Sequence, residues 1–415
     1  MSVGNGVPSN EKNHLDTYVQ NGVKSEYMYT RTCKPLLSNS FFLFGARGTG
    51  KTSLLKSIFS ESSKNHVWLN LLDDSLYREL VAKPERFLEK IPSNFNAKSW
   101  VVLDEIQRIP GLLNYVHSLI ESRKIKFALT GSSARKLKRG GANLLAGRAF
   151  LNNLHPLTHA ELKEDFRLED VLSWGTLPKV TNSESILDKQ EFLKSYVGTY
   201  LRQEIKEEQI VRQLDPFVRF LETAAQHNGK IINASKIARD SLTEPHAVIR
   251  YFEILVDTLA GFFLEPFHHS ARKIQTEKAK FYFFDCGIKR ALENDLENPL
   301  VPGSYGFGNA FEHFFILECI RIRDYLRKPY RFSYSRTKDG VEIDLIIEKS
   351  KRELWAVEIK SSERVDETEL KHARNLANDL GVKRFIVASR EKQPRKPFND
   401  LEILPWAQAI AEIFL

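Results

Sequence analysis

Apolar and polar positions follow two rhythms along this chain. In the first part, short and nearly continuous apolar runs of strand length are separated by stretches with helical spacing. SFFLF opens the series and HVWLNLLD, SWVVLDEI, IKFALTGSS and RAFLNNLHPLTHAEL follow, with RELVAKPERFLEKI and LLNYVHSLIESRK reading as helices between them. Apolar strands that alternate with helices predict a parallel sheet covered on both faces. From Glu161 to Asp295 the strand rhythm gives way to helical spacing, longest in KSYVGTYLRQEIKEEQI and DPFVRFLETAAQHNGK.

Within that stretch NASKIARDS, a TEP turn and HAVIRYFEILVDTLAGF predict two helices, and GFFLEPFHH with KAKFYFFD predicts a two-stranded ribbon after them. This is a winged-helix-like order. ENPLVPGSYGFGN, with its prolines and glycines, is the expected linker. After it the pattern reads α-β-β-β-α-β: NAFEHFFILECIRIRDYL, then YRFSYSRT, VEIDLIIE and LWAVEIKSS, then DETELKHARNLANDLG and KRFIVASR. The expected organisation is a flexible segment over 1–30, an α/β domain over 31–160, a helical, winged-helix-like domain over 161–295 and a second α/β domain over 305–415.

Composition narrows the class. A chain of 415 residues has room for two to three domains, and 42% hydrophobic against 27% charged residues excludes disordered and low-complexity classes. No apolar run nears the roughly 20 residues of a bilayer span, and MSVGNGVPSNEKNHLD lacks the apolar centre of a signal peptide, so a cytoplasmic protein without a membrane partner is expected. Cys33, Cys286 and Cys319 are too dispersed for a zinc motif or a disulfide framework. The net charge of +8 favours polyanionic partners.

The chemistry is concentrated in two places. Gly45, Ala46, Arg47, Gly48, Thr49, Gly50, Lys51 and Thr52 spell GxxxxGK[ST] between an apolar strand and a helix that continues with Ser53. Glycines there let successive backbone N–H groups turn toward the phosphates of ATP, Lys51 adds a charge and Thr52 a ligand for Mg²⁺. The strand WVVLD ends in Asp104, a candidate for the Mg²⁺ hydration shell, and is followed by Glu105, a candidate for polarising water. FALTGSS sets Thr130 and Ser132 at a third strand end. Arg148 and Arg135 are candidates for stabilising the transition state on a neighbouring subunit if the protein forms a ring.

The second place is C-terminal. VEIDLII carries Asp344, and AVEIK carries Glu358 and Lys360, whose i, i+2 spacing sets them on one strand face. The short turn makes the two strands antiparallel neighbours, and Glu312 on the preceding helix completes the cluster. Such a set suits metal-assisted phosphodiester cleavage, with Asp344 and Glu358 holding Mg²⁺ or Mn²⁺ and Lys360 orienting water. Tyr334, Arg336, Lys371 and Arg374 are candidate strand contacts nearby, and Lys236, Arg239, His246 and Arg250 are candidate backbone contacts on the helix pair.

Through GARGTGKTS, VVLDEIQ, LTGSSARKL, AGRAF, TKDGVEIDLII and VEIKSS, the chain from about Ser38 onward resembles prokaryotic AAA-type ATPases in which a P-loop module precedes a helical, winged-helix-containing segment and a C-terminal nuclease-like domain. The last domain looks like the PD-(D/E)XK nuclease fold, whose four motif positions are filled by Glu312, Asp344, Glu358 and Lys360. It departs from that pattern in having Ile343 in place of the usual proline. The resemblance implies ring assembly and ATP as cofactor. The function expected is an ATP hydrolase acting on nucleic acid, DNA ahead of RNA, whose nucleotide state gates a Mg²⁺-dependent nuclease. The alternatives are an ATPase switch whose C-terminal domain is a binding scaffold and, last, a small-molecule phosphotransferase.

Overall fold

A computed structural model describes residues 29–60, 65–133, 145, 147–201, 214–268 and 278–415. Arg135 and nearly all of the segment expected over 1–30 lie outside the described residues.

The first sheet consists of β1 (Ser40–Phe44), β2 (His66–Asn70), β3 (Trp100–Asp104), β4 (Lys126–Gly131) and β5 (Ala149–Asn153), all parallel in the order β2-β3-β4-β1-β5. Every residue of β1 and β3 is buried because helices cover both faces. The strand period of two divides the apolar residues between them: Phe42, Phe44, Leu103 and Leu129 pack with α2 (Asp74–Ala82) and α3 (Leu112–Arg123). Phe41, Leu43, Val102 and Ala128 pack against α1 (Lys51–Ser60). Because β4 lies between β1 and β3, the end of β4 faces both the glycine loop and the Asp104–Glu105 pair.

The chain then enters α4 (His159–Leu162), α5 (Leu168–Trp174), α6 (Pro178–Thr181), α7 (Ile186–Ser195), a π-helical turn over Tyr196–Leu201, α8 (Leu214–Gln226), α9 (Ala234–Asp240) and α10 (Pro245–Asp257). Much of the long helix expected over residues 194–210 lies outside the described residues. The predicted helix pair and ribbon are present in order, the ribbon as antiparallel β6 (Gly261–Pro266) and β7 (Lys280–Phe283). It is built into a larger sheet instead of standing apart as a wing. β6 pairs in parallel with β8 (Arg331–Arg336) at Glu265–Ser333 and Pro266–Tyr334, which makes the ribbon the edge of an eight-stranded sheet.

After α11 (Cys286–Leu292), the expected linker contributes to a helix. Tyr305–Asn309 are the first turns of α12 (Tyr305–Tyr325), whose start is capped by the Ser304 side chain accepting from the Phe307 N–H. Prolines and glycines marked the approach to this helix, but tertiary burial of Phe307 and Phe311 extends it through two glycines. The sheet continues with β9 (Glu342–Ser350), β10 (Glu353–Lys360), α13 (Lys371–Asp379), β11 (Arg384–Ser389), β12 (Arg395–Phe398), β13 (Leu401–Pro405) and α14 (Trp406–Phe414). The α-β-β-β-α-β order is present, and the terminal hairpin and helix extend it. Its sheet order is β12-β13-β11-β10-β9-β8-β6-β7. One core joins α12, α14 and this sheet to Leu157, Leu162, Val171 and Leu172 from the first half of the chain. None of the described helices is long and apolar enough to cross a membrane.

Candidate functional site

The glycine loop runs from β1 into α1 with Gly48 and Gly50 at φ 81° and 92°, values that glycine adopts without steric cost. Gly45 has a different reason to be glycine: a Cβ there would lie 2.3 Å from the Leu154 carbonyl oxygen. Lys51 is buried, and its Nζ donates to the carbonyls of Gly45 at 2.9 Å and Ala46 at 3.4 Å while standing 3.9 Å from Glu105 Oε1. Thr52 Oγ1 donates to Asp104 Oδ2 at 2.9 Å. The other Asp104 oxygen accepts a short bond from Thr130 Oγ1, which itself accepts from the Glu105 N–H at 2.9 Å. Loop, β3 and β4 are thus joined through three side chains. Thr49 is buried and donates to Ala46, Ser53 is exposed on α1, and Arg47 is exposed.

Glu105 has left-handed backbone angles, φ 62° and ψ 48°, a strained conformation for a residue with a Cβ. Its Oε2 accepts from Gln107 Nε2, which also donates to Ser132 Oγ at 2.9 Å. Gln107, which the sequence reading passed over, therefore orients the candidate base; its spacing two residues after Glu105 was the available signal.

Two other supports were not anticipated. Arg31 Nη1 donates to the Thr49 carbonyl at 2.7 Å and Nη2 to the His155 carbonyl at 2.6 Å, with further bonds to Glu161 at 3.2 Å and Tyr325 at 3.1 Å. Glu161 closes a capping box with Thr158 and also accepts from the Thr32 N–H at 2.6 Å. Tyr196, in the helical segment, donates its hydroxyl to the Arg47 carbonyl at 2.9 Å. A cavity of about 270 Å³ behind the loop is lined by Gly45, Ala46, His155, Phe262, Phe284 and Arg323, and so brings the loop, the ribbon and α12 to one space. Arg148 lies elsewhere: it precedes β5 at the end of the sheet away from the loop and pairs with Glu121 on α3.

The C-terminal acids meet where β9 is irregular. Ser333 opposes Ile346 while Ser335 opposes Ile343, so β9 carries one extra residue at Asp344–Leu345. Such a bulge re-aims a side chain. Asp344 Oδ2 accepts from the Ile359 N–H at 2.8 Å, and Lys360 Nζ lies 3.1 Å from Glu358 Oε1, as their spacing predicted. Glu358 is 8% exposed, and its Oε2 is buried without a hydrogen-bond partner among the described residues. Burial and the Glu358 and Glu312 carboxylates push Asp344 well above the usual carboxylate range, against Lys280 and the backbone N–H. Burial likewise raises Glu358, against Lys360. Burial alone would lower Lys360, but Glu358 raises it.

Glu312 is placed beside this pair in a different partnership, accepting from Tyr282 Oη at 2.6 Å and from Lys280 Nζ at 3.4 Å. No three His, Cys, Asp or Glu side chains among the described residues converge to hold a metal ion. Two carboxylates with an orphaned oxygen do suit a Mg²⁺ that keeps several waters and takes its remaining ligands from a phosphate. Tyr334 is a core residue, buried with its hydroxyl on the Lys278 carbonyl at 2.6 Å, and makes no strand contact surface. Arg374 is engaged by Asp400 and lies over Phe398, whereas Lys371, Lys236, Arg239, His246 and Arg250 are exposed.

Comparison with known proteins divides the chain in three. Residues 38–163 match the AAA domain family, residues 165–298 a domain of unknown function (DUF8612), and residues 307–408 a second domain of unknown function (DUF4143). An uncharacterized protein of Haemophilus influenzae (strain ATCC 51907 / DSM 11121 / KW20 / Rd) is 24% identical over 337 residues, covering 75% of this chain and 80% of the relative. Among solved structures, the Thermotoga maritima RuvB Holliday junction branch migration motor is 17% identical with a TM-score of 0.28, covering 54% of this chain and 81% of that one. Domain III of the Thermotoga maritima replication initiation protein DnaA is 18% identical with a TM-score of 0.23, covering 40% and 78%. The family match and the parallel sheet agree that residues 38–163 form an α/β domain of AAA type, and they support ATP hydrolysis there.

Proposed function

We propose that this chain is an ATP-hydrolysing P-loop protein that acts on nucleic acid, and that its nucleotide state gates a Mg²⁺-dependent, nuclease-like C-terminal site. One observation carries the first half of this reading: Thr52 and Thr130 both donate to Asp104, with Glu105 next to it and Lys51 within 3.9 Å of that glutamate. In this arrangement the loop N–H groups and Lys51 bind the β- and γ-phosphates, Thr52 and Asp104 hold the metal, and Glu105, aimed by Gln107, accepts a proton from the attacking water. Mg²⁺, when bound, offsets the charge that develops on the phosphate oxygens.

At the second site Asp344 and Glu358 are the metal ligands and Lys360 holds the attacking water or its developing charge. Gating has a physical route. Arg31 bonds both the loop carbonyl of Thr49 and Tyr325 at the far end of α12, and α12 carries Glu312 about 20 Å further along its axis. The exposed basic residues of α9 and α10 and the net charge of +8 supply phosphate contacts. A role for Arg148 requires a homo-oligomer, since it stands away from its own loop.

The test is incubation of the purified protein with plasmid, linear and single-stranded DNA and RNA, with Mg²⁺ or Mn²⁺, with and without ATP. Lys51→Ala is expected to lose ATP hydrolysis. Asp344→Ala and Lys360→Ala are expected to lose cleavage while hydrolysis persists. If all three variants cleave as the parent does, the reading fails. A switch whose C-terminal domain is a binding scaffold is the second reading, favoured by Lys280 already neutralising part of the acid cluster. Hydrolysis without cleavage under every condition is the result that selects it.

A further inference from the structure

The acid site contains a cation that none of its motifs contributes. Lys280 lies on β7, outside the segment that carries the D…ExK pattern, and is 3% exposed. Its Nζ stands 2.5 Å from Glu342 Oε1 and 3.4 Å from Glu312 Oε1, and 5.4 Å from the centre of the Tyr334 ring. Tyr282, two residues along and so on the same face of β7, bonds the same Glu312 oxygen. The strand's approach is fixed by Tyr334 donating to the Lys278 carbonyl. A buried ammonium with two carboxylates in reach is a deliberate arrangement, since desolvating it alone would be costly.

The charges then divide unequally. Lys280 engages Glu342 and Glu312, while Lys360 engages one oxygen of Glu358. Among the described residues, Asp344 and the orphaned Oε2 of Glu358 are left with one backbone N–H between them as a donor. We propose that Lys280 is a positioning residue that withholds Glu312 and Glu342 from the site's divalent cation, so that the ion is held by Asp344 and Glu358 alone and more weakly than four carboxylates would hold it. This rests on the reading of Asp344 and Glu358 as metal ligands. It adds that the segment between the ATPase sheet and α12 sets the strength of that site, from a ribbon whose other end lines the cavity behind the phosphate loop.

The test is Mn²⁺ affinity of the full chain, by calorimetric titration and by electron paramagnetic resonance of the free ion, which needs no turnover. Lys280→Met and Lys280→Gln remove a unit charge next to the site and leave Glu312 with Tyr282 and Glu342 with Arg336 alone, so each is expected to bind Mn²⁺ at least about tenfold more tightly than the parent. Lys280→Arg keeps the charge and is expected to match the parent. Asp344→Asn is expected to lose the ion. If the parent binds Mn²⁺ through Asp344 and both neutral variants bind it no more tightly, the role of Lys280 is overturned and the metal reading stands. If the parent does not bind Mn²⁺ but the neutral variants do, Asp344 and Glu358 alone do not hold the ion beside Lys280, so the positioning role as stated and metal-dependent cleavage by the parent both fail. If no variant binds it, both ideas fall. Should Lys280→Met not fold, Lys280→Gln, which keeps a polar side chain at that place without its charge, decides the matter.

Discussion

Replacing Arg31 by methionine keeps the aliphatic stem of the side chain and removes hydrogen bonds to the Thr49 and His155 carbonyls, to Glu161 and to the Tyr325 hydroxyl. The Arg31 side chain is 7% exposed and the Glu161 side chain is fully buried, so among the described residues the substitution leaves a buried carboxylate with only backbone N–H donors. Removing one partner of such a pair costs about 3–5 kcal/mol, and the lost carbonyl bonds overlap with that figure instead of adding to it. At roughly 2–4 °C per kcal/mol, a loss of about 4 kcal/mol lowers the melting temperature by about 8–16 °C. Differential scanning calorimetry reads this directly, and a double-mutant cycle with Glu161→Gln isolates the pair: the double variant should recover at least about 1 kcal/mol relative to the sum of the single losses. Because the Thr49 carbonyl loses its brace, the KM for ATP should also rise. A melting point of Arg31→Met within about 2 °C of the parent would refute the reasoning, since it would mean a loss near 1 kcal/mol at most.

Three further outcomes are expected. Glu105→Gln should bind ATP as the parent does and lose about 10²–10⁴-fold in kcat, read by nucleotide titration beside a phosphate-release assay, because it removes the proton acceptor and little else. Gly45→Ala sets a Cβ against the Leu154 carbonyl and should cost about 1–3 kcal/mol in urea unfolding together with weaker ATP binding; an unchanged midpoint would show that the loop yields freely. Burial and the Glu358 and Glu312 carboxylates raise Asp344, so the folded chain holds that proton more tightly than the unfolded one, and stability from this difference is present at acidic pH and lost as pH rises through the folded value. Asp344→Asn should accordingly melt above the parent at pH 8, with the gap closing toward pH 4, and parallel melting curves across that range would contradict it.

What the sequence made legible was local. SFFLF, GARGTGKT and VVLDE announce themselves because a buried parallel strand, a glycine turn and a strand-end acid pair each leave a signature within a few residues. The five strands of the first sheet and the i, i+2 pairing of Glu358 with Lys360 are present as expected. Contacts made across the chain leave no such mark. Arg31 sits in a stretch without periodicity and draws its meaning from residues up to 294 positions away. Lys280 reads as the first polar residue of an ordinary strand until β7 is laid beside α12 and β9. The extra residue at Asp344 is invisible in VEIDLII, because alternation is only broken once β8 is in register beside it. Residues 297–304 of the expected linker do connect α11 to α12, and its last five residues join the helix for a related reason: glycine lowers helix propensity locally, while the burial that stabilises α12 comes from distant partners.

The core that joins residues 157–172 to the last described helix bears on how the protein is made. Leu157, Leu162, Val171 and Leu172 pack with Phe311 and Phe314 of α12 and with Ile410, Ile413 and Phe414 of the last helix. At roughly 5–20 residues per second of synthesis, about 240 residues and some tens of seconds separate Leu172 from Phe414. Through that interval the nascent ATPase module carries an uncovered apolar face on the ribosome, a ready substrate for chaperones, and a fragment ended by proteolysis before α12 would carry the same face permanently. Translation must therefore run past Phe414 before this apolar face acquires the cover it has in the folded protein.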